Sequence, residues 1–182
     1  MALSVIESNK NPSLTPSIDW AAVQLNQFEH DEKYHREICR LSTQDRLRHM
    51  ALHFAKYAGK LHDGPDEGAF RQITVDTMVI AVSCANIMNV DLPLALGTSS
   101  LPVSSRIDFA RQLSISAGRM AAACEKLDHL EDFPFRSTLK SEALSILLGC
   151  VAMFELEGRK PVREMKERLF QIKGKSIFHG RI

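Results

Sequence analysis

A short pattern occurs twice in this chain, and each copy precedes a long apolar segment. Ala-Gly-Lys-Leu at 58–61 closes one amphipathic segment, and Ala-Gly-Arg-Met at 117–120 lies inside another. After a turn-rich connector, each is followed by an apolar stretch that opens on an acid, Asp76 in the first copy and Glu142 in the second. Because a single helical hairpin buries only one side of itself, two related hairpins are expected to pack on each other. The repeat therefore predicts a helical bundle built from two related hairpins.

The periodicity of the apolar residues predicts an all-α fold. A helical stripe runs along one segment, with members at Leu47, Met50, Ala51, Phe54, Ala58 and Leu61. Strand-like alternation is absent. The 182 residues suit one compact domain, which we place at 19–182, with pseudo-repeats at about 44–97 and 105–170. Residues 1–18 are polar and contain Pro12 and Pro16, and we expect them to form a flexible N-terminal arm.

Capping residues predict where the helices begin and end. Asp19 is a good cap for a first helix, which the apolar residues extend as far as Leu41. Ser42 and Ser105 each have an acid three residues on, as in a capping box. Gly158 is expected to end the fifth long helix. Pro161 is well placed as the first residue of a last helix.

Composition narrows the classes of function. Hydrophobic residues make up 45% and charged residues 25%, as in soluble helical proteins. No apolar run approaches the roughly 20 residues that span a bilayer, and the N-terminus lacks a signal region, so we expect a cytoplasmic protein without membrane contact. The four cysteines are far apart, which favours buried reduced thiols. From 159 to 182 the chain has eight Lys/Arg against two Glu. A solvated helix explains this better than a nucleic-acid site.

The second helix of the first repeat carries a further motif. Asp76 opens an apolar run, Asn86 follows ten residues on, and Asn-Val-Asp-Leu stands at 89–92, while Lys-Tyr-Ala-Gly-Lys-Leu precedes it at 56–61. This arrangement resembles the all-α nucleoside triphosphate pyrophosphatases of the MazG-like group. The resemblance implies a carboxylate cage for divalent ions, normally Mg²⁺, which bridge to the phosphates of the substrate.

The chain departs from the family pattern at the cage itself. In the first copy the other cage positions fall on Tyr57, Lys60 and Ile73, and only Asp76 is acidic. The second copy likewise keeps only Glu142, because the equivalent positions are Ser116, Arg119 and Leu139. One carboxylate cannot hold two magnesium ions, and a neighbouring cation repels them. The departures therefore predict a degenerate copy with little or no pyrophosphatase activity.

Three hypotheses for function follow. The first is a protein that binds a nucleotide or a protein partner between the second and third helices, with Asp76 and Asn86 as polar anchors and Lys56 and Lys60 as phosphate contacts. The second is an active Mg²⁺-dependent pyrophosphohydrolase, in which a shifted register lets Glu125, Asp128 and Glu142 hold metal with Asp76. The third is an assembly subunit whose apolar helices form a homodimer or other oligomer.

Several smaller patterns leave alternatives open. Asp76, Ser83 and Asn86 form a polar line on an apolar helix, which predicts either a cleft or a hydrogen-bonded network. His49, His53, Lys56 and Lys60 share one helical face opposite the apolar stripe, where they are solvated, paired with acids of the first helix, or bound to phosphate. His49 and His53 also have the spacing of two zinc ligands. His62-Asp63 is similar to the metal-binding pair of HD phosphohydrolases, but stands at a helix end.

Overall fold

The computed structural model describes residues 18–97, 103–177 and 179–181. These residues form α1 (Trp20–Tyr34), α2 (Arg36–Cys39), α3 (Thr43–His62), α4 (Glu67–Ile87), α5 (Leu92–Leu96), α6 (Arg106–Asp128), α7 (Phe135–Leu156) and α8 (Pro161–Lys173). No strand occurs in these ranges, so the all-α prediction is confirmed for them. The predicted N-terminal arm lies outside the described residues up to 17, whereas Ile18 packs against the core.

Side-chain oxygens cap the first turn of the helices that the sequence marked. Ser42 Oγ accepts a hydrogen bond from the Asp45 amide at 3.1 Å, and Ser105 Oγ accepts one from the Asp108 amide at 3.1 Å. Acidic side chains do the same at the starts of α1, α4 and α5, namely Asp19, Asp66 and Asp91. These contacts satisfy amides that have no partner within the helix. The predicted caps at Asp19, Ser42 and Ser105 are confirmed.

Four helices form the centre of the fold. The α3 helix packs against α4 and α6, and α7 packs against α6 and α4. Fully buried side chains such as Phe54, Met78, Met120 and Leu147 fill the space between them. Every member of the predicted α3 stripe is buried. The pairs α3–α4 and α6–α7 are the helices of the two predicted hairpins. That the pairs are related copies of one unit stays a prediction.

The first helix is shorter than the sequence predicted. Its regular part ends at Tyr34, because His35 has φ −129° and ψ 41°, outside the helical region, and the chain restarts as α2. Leu41 is 42% exposed and Phe28 is 50% exposed, so the apolar residues that suggested one continuous helix do not share a buried face. The prediction of a single helix from Asp19 to Leu41 is therefore wrong.

The junction between α7 and α8 sets the course of the last helix. Gly158 ends α7 with φ 63°, a left-handed conformation that suits glycine, and Pro161 begins α8 as predicted. Arg159 lies between them with only 4% of its side chain exposed. Its guanidinium donates to Glu164 at 3.0 Å and lies over the ring of Phe154 at 4.5 Å. From this anchored start, α8 packs against α4 and α1.

Part of the basic C-terminal segment is neutralised within the chain. Arg159 pairs with Glu157 and Glu164, and Arg163 Nε lies 2.7 Å from Glu167 Oε1. Arg168 pairs with Asp76. The sequence favoured a solvated helix for this segment, and the structure adds that three of its arginines pair with acids of the chain.

The cysteines are free thiols, as the sequence predicted. Cys84, Cys124 and Cys150 are buried, Cys39 is half-buried, and all four are free thiols. Burial raises the pKa of the Cys84 thiol to about 12 and, together with nearby Glu32 and Asp31, that of Cys39 to about 11. Both therefore stay protonated at neutral pH. In the described ranges no helix combines the length and the apolar character needed to cross a membrane.

Candidate functional site

A cavity of about 590 Å³ lies among α1, α2, α3, α4 and α8. One part of its wall is apolar and is formed by Ile38, Met50, Val79, Ile80, Ile87 and Ile172. The rest is polar, with contributions that include Asp31, His35, Glu37, Cys39, Arg46, His49, His53, Tyr57, Asp76, Ser83, Arg168 and Lys175. A cleft of this size that combines apolar walls with convergent polar groups is a common form of small-molecule site. We therefore take it as the candidate functional site.

Asp76 lines this cavity, but its carboxylate is already paired. Arg168 of α8 donates from Nε to Asp76 Oδ1 at 2.6 Å and from Nη2 to Oδ2 at 3.0 Å. The two side chains are only 15% and 14% exposed. A two-pronged contact between groups so well shielded from water is a strong ion pair. The partner of Asp76 is therefore an arginine 92 residues away in the sequence.

The two lysines predicted to bind phosphate lie beside the cavity. Lys56 and Lys60 are exposed on α3, and neither lines the cavity wall. Burial and the charge of Lys60 lower the pKa of Lys56, while Asp76 opposes that shift. His49 and His53, which the sequence placed on the same face, are instead half-buried and line the cavity. The predicted basic face is thus divided between solvent and the cavity.

Asn86 belongs to a hydrogen-bonded junction between α1 and the end of α4. Gln24 Nε2 donates to Asn86 Oδ1 at 2.9 Å and to the Val90 carbonyl at 2.7 Å, and Asn86 Nδ2 donates to the Gln24 carbonyl at 3.1 Å. Gln24 Oε1 accepts from the Leu92 amide at 2.9 Å. Asn86 does not line the cavity. Its contacts fit the structural alternative that the sequence left open for the polar line.

In the second half, Glu142 contacts two residues that the predicted repeat would place at cage positions. Its carboxylate accepts from Ser116 Oγ at 2.7 Å and from Arg119 Nη1 at 3.3 Å. Asp128 instead pairs with Arg48 and accepts from Gln44 Nε2 at 2.9 Å, and Glu125 is exposed. Within the described ranges, the only three His, Cys, Asp or Glu ligand atoms close enough to share an ion belong to His30, Asp31 and His35. The structure therefore does not bring Glu125, Asp128 and Glu142 into one three-ligand set.

A chain of hydrogen-bonding groups runs along the cavity side of α3. His53 Nδ1 lies 3.1 Å from Lys56 Nζ and 3.3 Å from the Tyr57 hydroxyl, and His53 Nε2 lies 3.1 Å from His49 Nε2. Because a lysine ammonium only donates, His53 Nδ1 accepts and its proton is on Nε2, directed at His49. Burial is the main cause that lowers the pKa of His53 to about 4, and the charge of Lys56 adds to the shift. The imidazole of His53 is therefore neutral at physiological pH.

Two cationic residues of the cavity, Arg46 and Lys175, were not predicted from the sequence. Neither forms an ion pair with another residue in the part of the chain that the structure describes, and Nε of Arg46 is buried without a hydrogen-bond partner there. Arg46 stands three residues before His49 on α3, so helical spacing relates it to the histidines. Lys175 follows the end of α8, where no periodic pattern marks it.

Comparison with protein-family models, with curated proteins and with solved structures finds no match for this chain. The resemblance to MazG-like pyrophosphatases consequently rests on the motifs of the sequence and stays a prediction.

Substitution of Asn86 distinguishes a structural role from a ligand-binding one. We expect Asn86→Ala to lower the free energy of unfolding by about 1–3 kcal/mol, because two half-buried groups of Gln24 lose their hydrogen bonds. Gln24→Ala is the matched variant. It should lower the free energy of unfolding by at least as much, since it also removes the hydrogen bonds to Val90 and Leu92. Urea unfolding measures both. A stable Asn86→Ala protein, within about 0.5 kcal/mol of the wild type, would contradict the structural role.

The low pKa of His53 predicts a pH dependence of stability. A histidine that is hard to protonate in the fold contributes stability above its unfolded pKa, near 6.5, and loses that contribution as pH falls toward its folded value of about 4. Between pH 7 and pH 5 the wild type should lose on the order of 1 kcal/mol through His53, after allowance for its partial exposure. In His53→Gln, the free energy of unfolding measured in urea should fall by about that much less between pH 7 and pH 5. An unchanged pH dependence in this variant would show that His53 is not the group responsible.

Proposed function

We propose that this protein binds a small nucleotide in the cavity and does not cleave it by the metal-cage mechanism of MazG-like enzymes. The observation that carries the proposal is the composition of the cavity wall, which combines apolar side chains with Arg46, whose Nε has no hydrogen-bond partner among the described residues. Nucleotides combine a flat, weakly polar base with a phosphate group. A guanidinium binds phosphate oxygens through parallel hydrogen bonds without a metal ion.

The distribution of charge along the wall supports this ligand class. Asp76 and Arg168 neutralise each other, which leaves Arg46 and Lys175 as cations and Asp31 and Glu37 as anions. The two cations suit phosphate oxygens. The two carboxylates suit hydrogen-bond donors, such as ribose hydroxyls and the amino group of a base. A ligand with both kinds of group fits such a wall better than a simple anion does.

The partners of the acidic residues argue against phosphoanhydride cleavage by the family mechanism. Asp76 is held by Arg168, Glu142 by Ser116 and Arg119, and Asp128 by Arg48. A magnesium cage needs several carboxylates free to turn their oxygens to one point. The resemblance to MazG-like proteins supports nucleotides as the ligand class, and the ion pairs support little or no activity. The protein-partner and assembly hypotheses remain predictions.

Binding in the presence of a chelator tests the proposal. With nucleoside mono-, di- and triphosphates at millimolar concentration, we expect at least one to raise the melting temperature, because a ligand present at 100 times its Kd adds about 2.7 kcal/mol of stability. Arg46→Gln should weaken that nucleotide at least about tenfold by calorimetry, the loss expected for a charged hydrogen bond. Arg48→Gln is the matched control, since Arg48 pairs with Asp45 and Asp128 and does not line the cavity.

Two results would contradict the proposal. One is the absence of a thermal shift across the nucleotide panel; the other is equal affinity in the wild type and Arg46→Gln. Pyrophosphate release from nucleoside triphosphates with Mg²⁺ or Mn²⁺ is measured in parallel. Release that disappears in Glu142→Gln would instead establish the hydrolase alternative with Glu125, Asp128, Glu142 and Asp76.

A further inference from the structure

Three potential metal ligands meet where α1 ends. His30, Asp31 and His35 each place a ligand atom within 4.8 Å of the other two, and Nδ1 of His30 lies 3.9 Å from Oδ1 of Asp31. Asp31 and His35 also line the cavity described above. Two imidazoles with one carboxylate are a common ligand set for first-row transition metals.

The conformation of His35 brings these residues together. On a continuous helix, residues five apart point about 140° away from each other, so His30 and His35 would diverge. The chain leaves the helical conformation at His35, with φ −129° and ψ 41°. The ring of His35 thereby comes to 5.4 Å, centroid to centroid, from the ring of His30. The helix break that the sequence analysis did not foresee is what forms the cluster.

The hydrogen bond of His30 fixes which of its nitrogens can bind a metal. Its Nε2 lies 3.2 Å from the carbonyl oxygen of Leu169, and a carbonyl only accepts, so Nε2 carries the proton. Nδ1 then presents its lone pair. His30 is only 9% exposed, and Nδ1 is buried without a hydrogen-bond partner in the described part of the chain. Metal-bound histidines characteristically donate their other ring N–H to a backbone carbonyl in this way.

Asp31 is oriented by neighbours of the kind that hold a metal-binding carboxylate. Ser83 Oγ donates to its Oδ2 at 2.6 Å, and Gln27 Nε2 donates to its Oδ1 at 2.8 Å. Gln27 is fully buried, and its own Oε1 has no hydrogen-bond partner among the described residues. Packing of His30 against Tyr34, at 4.9 Å between ring centroids, accounts for the position of the His30 ring. That packing does not explain why Nδ1 of His30 and Oε1 of Gln27 lack hydrogen-bond partners among the described residues.

We propose that His30 Nδ1, the Asp31 carboxylate and the His35 imidazole form a zinc site in the wall of the cavity, with the remaining coordination position directed at the cavity. Ligand atoms around a tetrahedral zinc ion are about 3.3–3.6 Å apart, so the cluster closes by roughly an ångström on binding. The His35 side chain is 37% exposed and has room to turn. Imidazole nitrogen selects zinc and its neighbours over Mg²⁺ and Ca²⁺, which prefer oxygen. The zinc site shares Asp31 and the cavity with the nucleotide proposal, but zinc binding by the three side chains does not require a nucleotide.

Metal titration of the full chain tests the site. After removal of metal with a chelator, zinc is added in competition with a chromophoric chelator, and one equivalent is expected to bind. Co²⁺ serves as a spectroscopic probe, since its visible absorption reports nitrogen and oxygen ligands. His35→Phe keeps an aromatic ring beside His30 but removes the ligand, and should weaken zinc about 100-fold or more, beyond what loss of an outer-shell partner costs. His62→Phe is the matched control at the exposed end of α3.

Each outcome decides the proposal. Stoichiometric binding that survives in His62→Phe but is lost in His35→Phe, with altered Co²⁺ absorption in Asp31→Asn, supports the site. Circular dichroism of both site variants must show the wild-type helical content. Zinc binding that persists in His35→Phe and disappears in His49→Gln would overturn the proposal, because the ion would then be held by the His49–His53 pair. Failure of the wild type to bind zinc tighter than micromolar would also overturn it.

Discussion

The ion pair between Asp76 and Arg168 is the contact on which the cavity depends. It joins the middle of α4 to the middle of α8, and both side chains are mostly shielded from water. Removing one member of such a pair leaves an uncompensated charge and typically costs about 3–5 kcal/mol, whereas an exposed pair contributes little. The α8 helix contributes Arg168 and Ile172 to the cavity wall, and Lys175 follows two residues after its end. By anchoring α8, this pair keeps that side of the cavity in position.

The same pair occupies the carboxylate that the predicted resemblance to MazG-like enzymes would assign to a metal ion. In the second half, Ser116 and Arg119, which the predicted repeat would place at cage positions, hold the carboxylate of Glu142. Among the described residues, buried side-chain atoms without a hydrogen-bond partner in or beside the cavity belong to Gln27, His30 and Arg46. These residues lie on α1 and α3, whereas Asp76 lies on α4.

Local patterns predicted the helices well, because caps, apolar stripes and breakers act over a few residues. Ser42, Ser105, Gly158 and Pro161 all mark helix ends as expected. The site was predicted less well, because its contacts join distant residues. Asp76 meets Arg168 across 92 positions, and Asn86 meets Gln24 across 62, and no local spacing encodes either pair. The role of His30 depends on a helix break at His35 and on a carbonyl of α8, neither of which the periodicity of α1 indicates.

The central claim is that Asp76 is a structural anchor for α8, and a double-mutant cycle tests it most directly. Asp76→Asn, Arg168→Gln and the double variant are unfolded in urea, and the coupling energy is obtained from the three changes in free energy. Residues in one shielded ion pair show coupling of about 0.5–3 kcal/mol, and we expect a value near 2 kcal/mol. Additive effects, with coupling within about 0.3 kcal/mol of zero, would contradict the account, because Asp76 would then be free to serve another ligand.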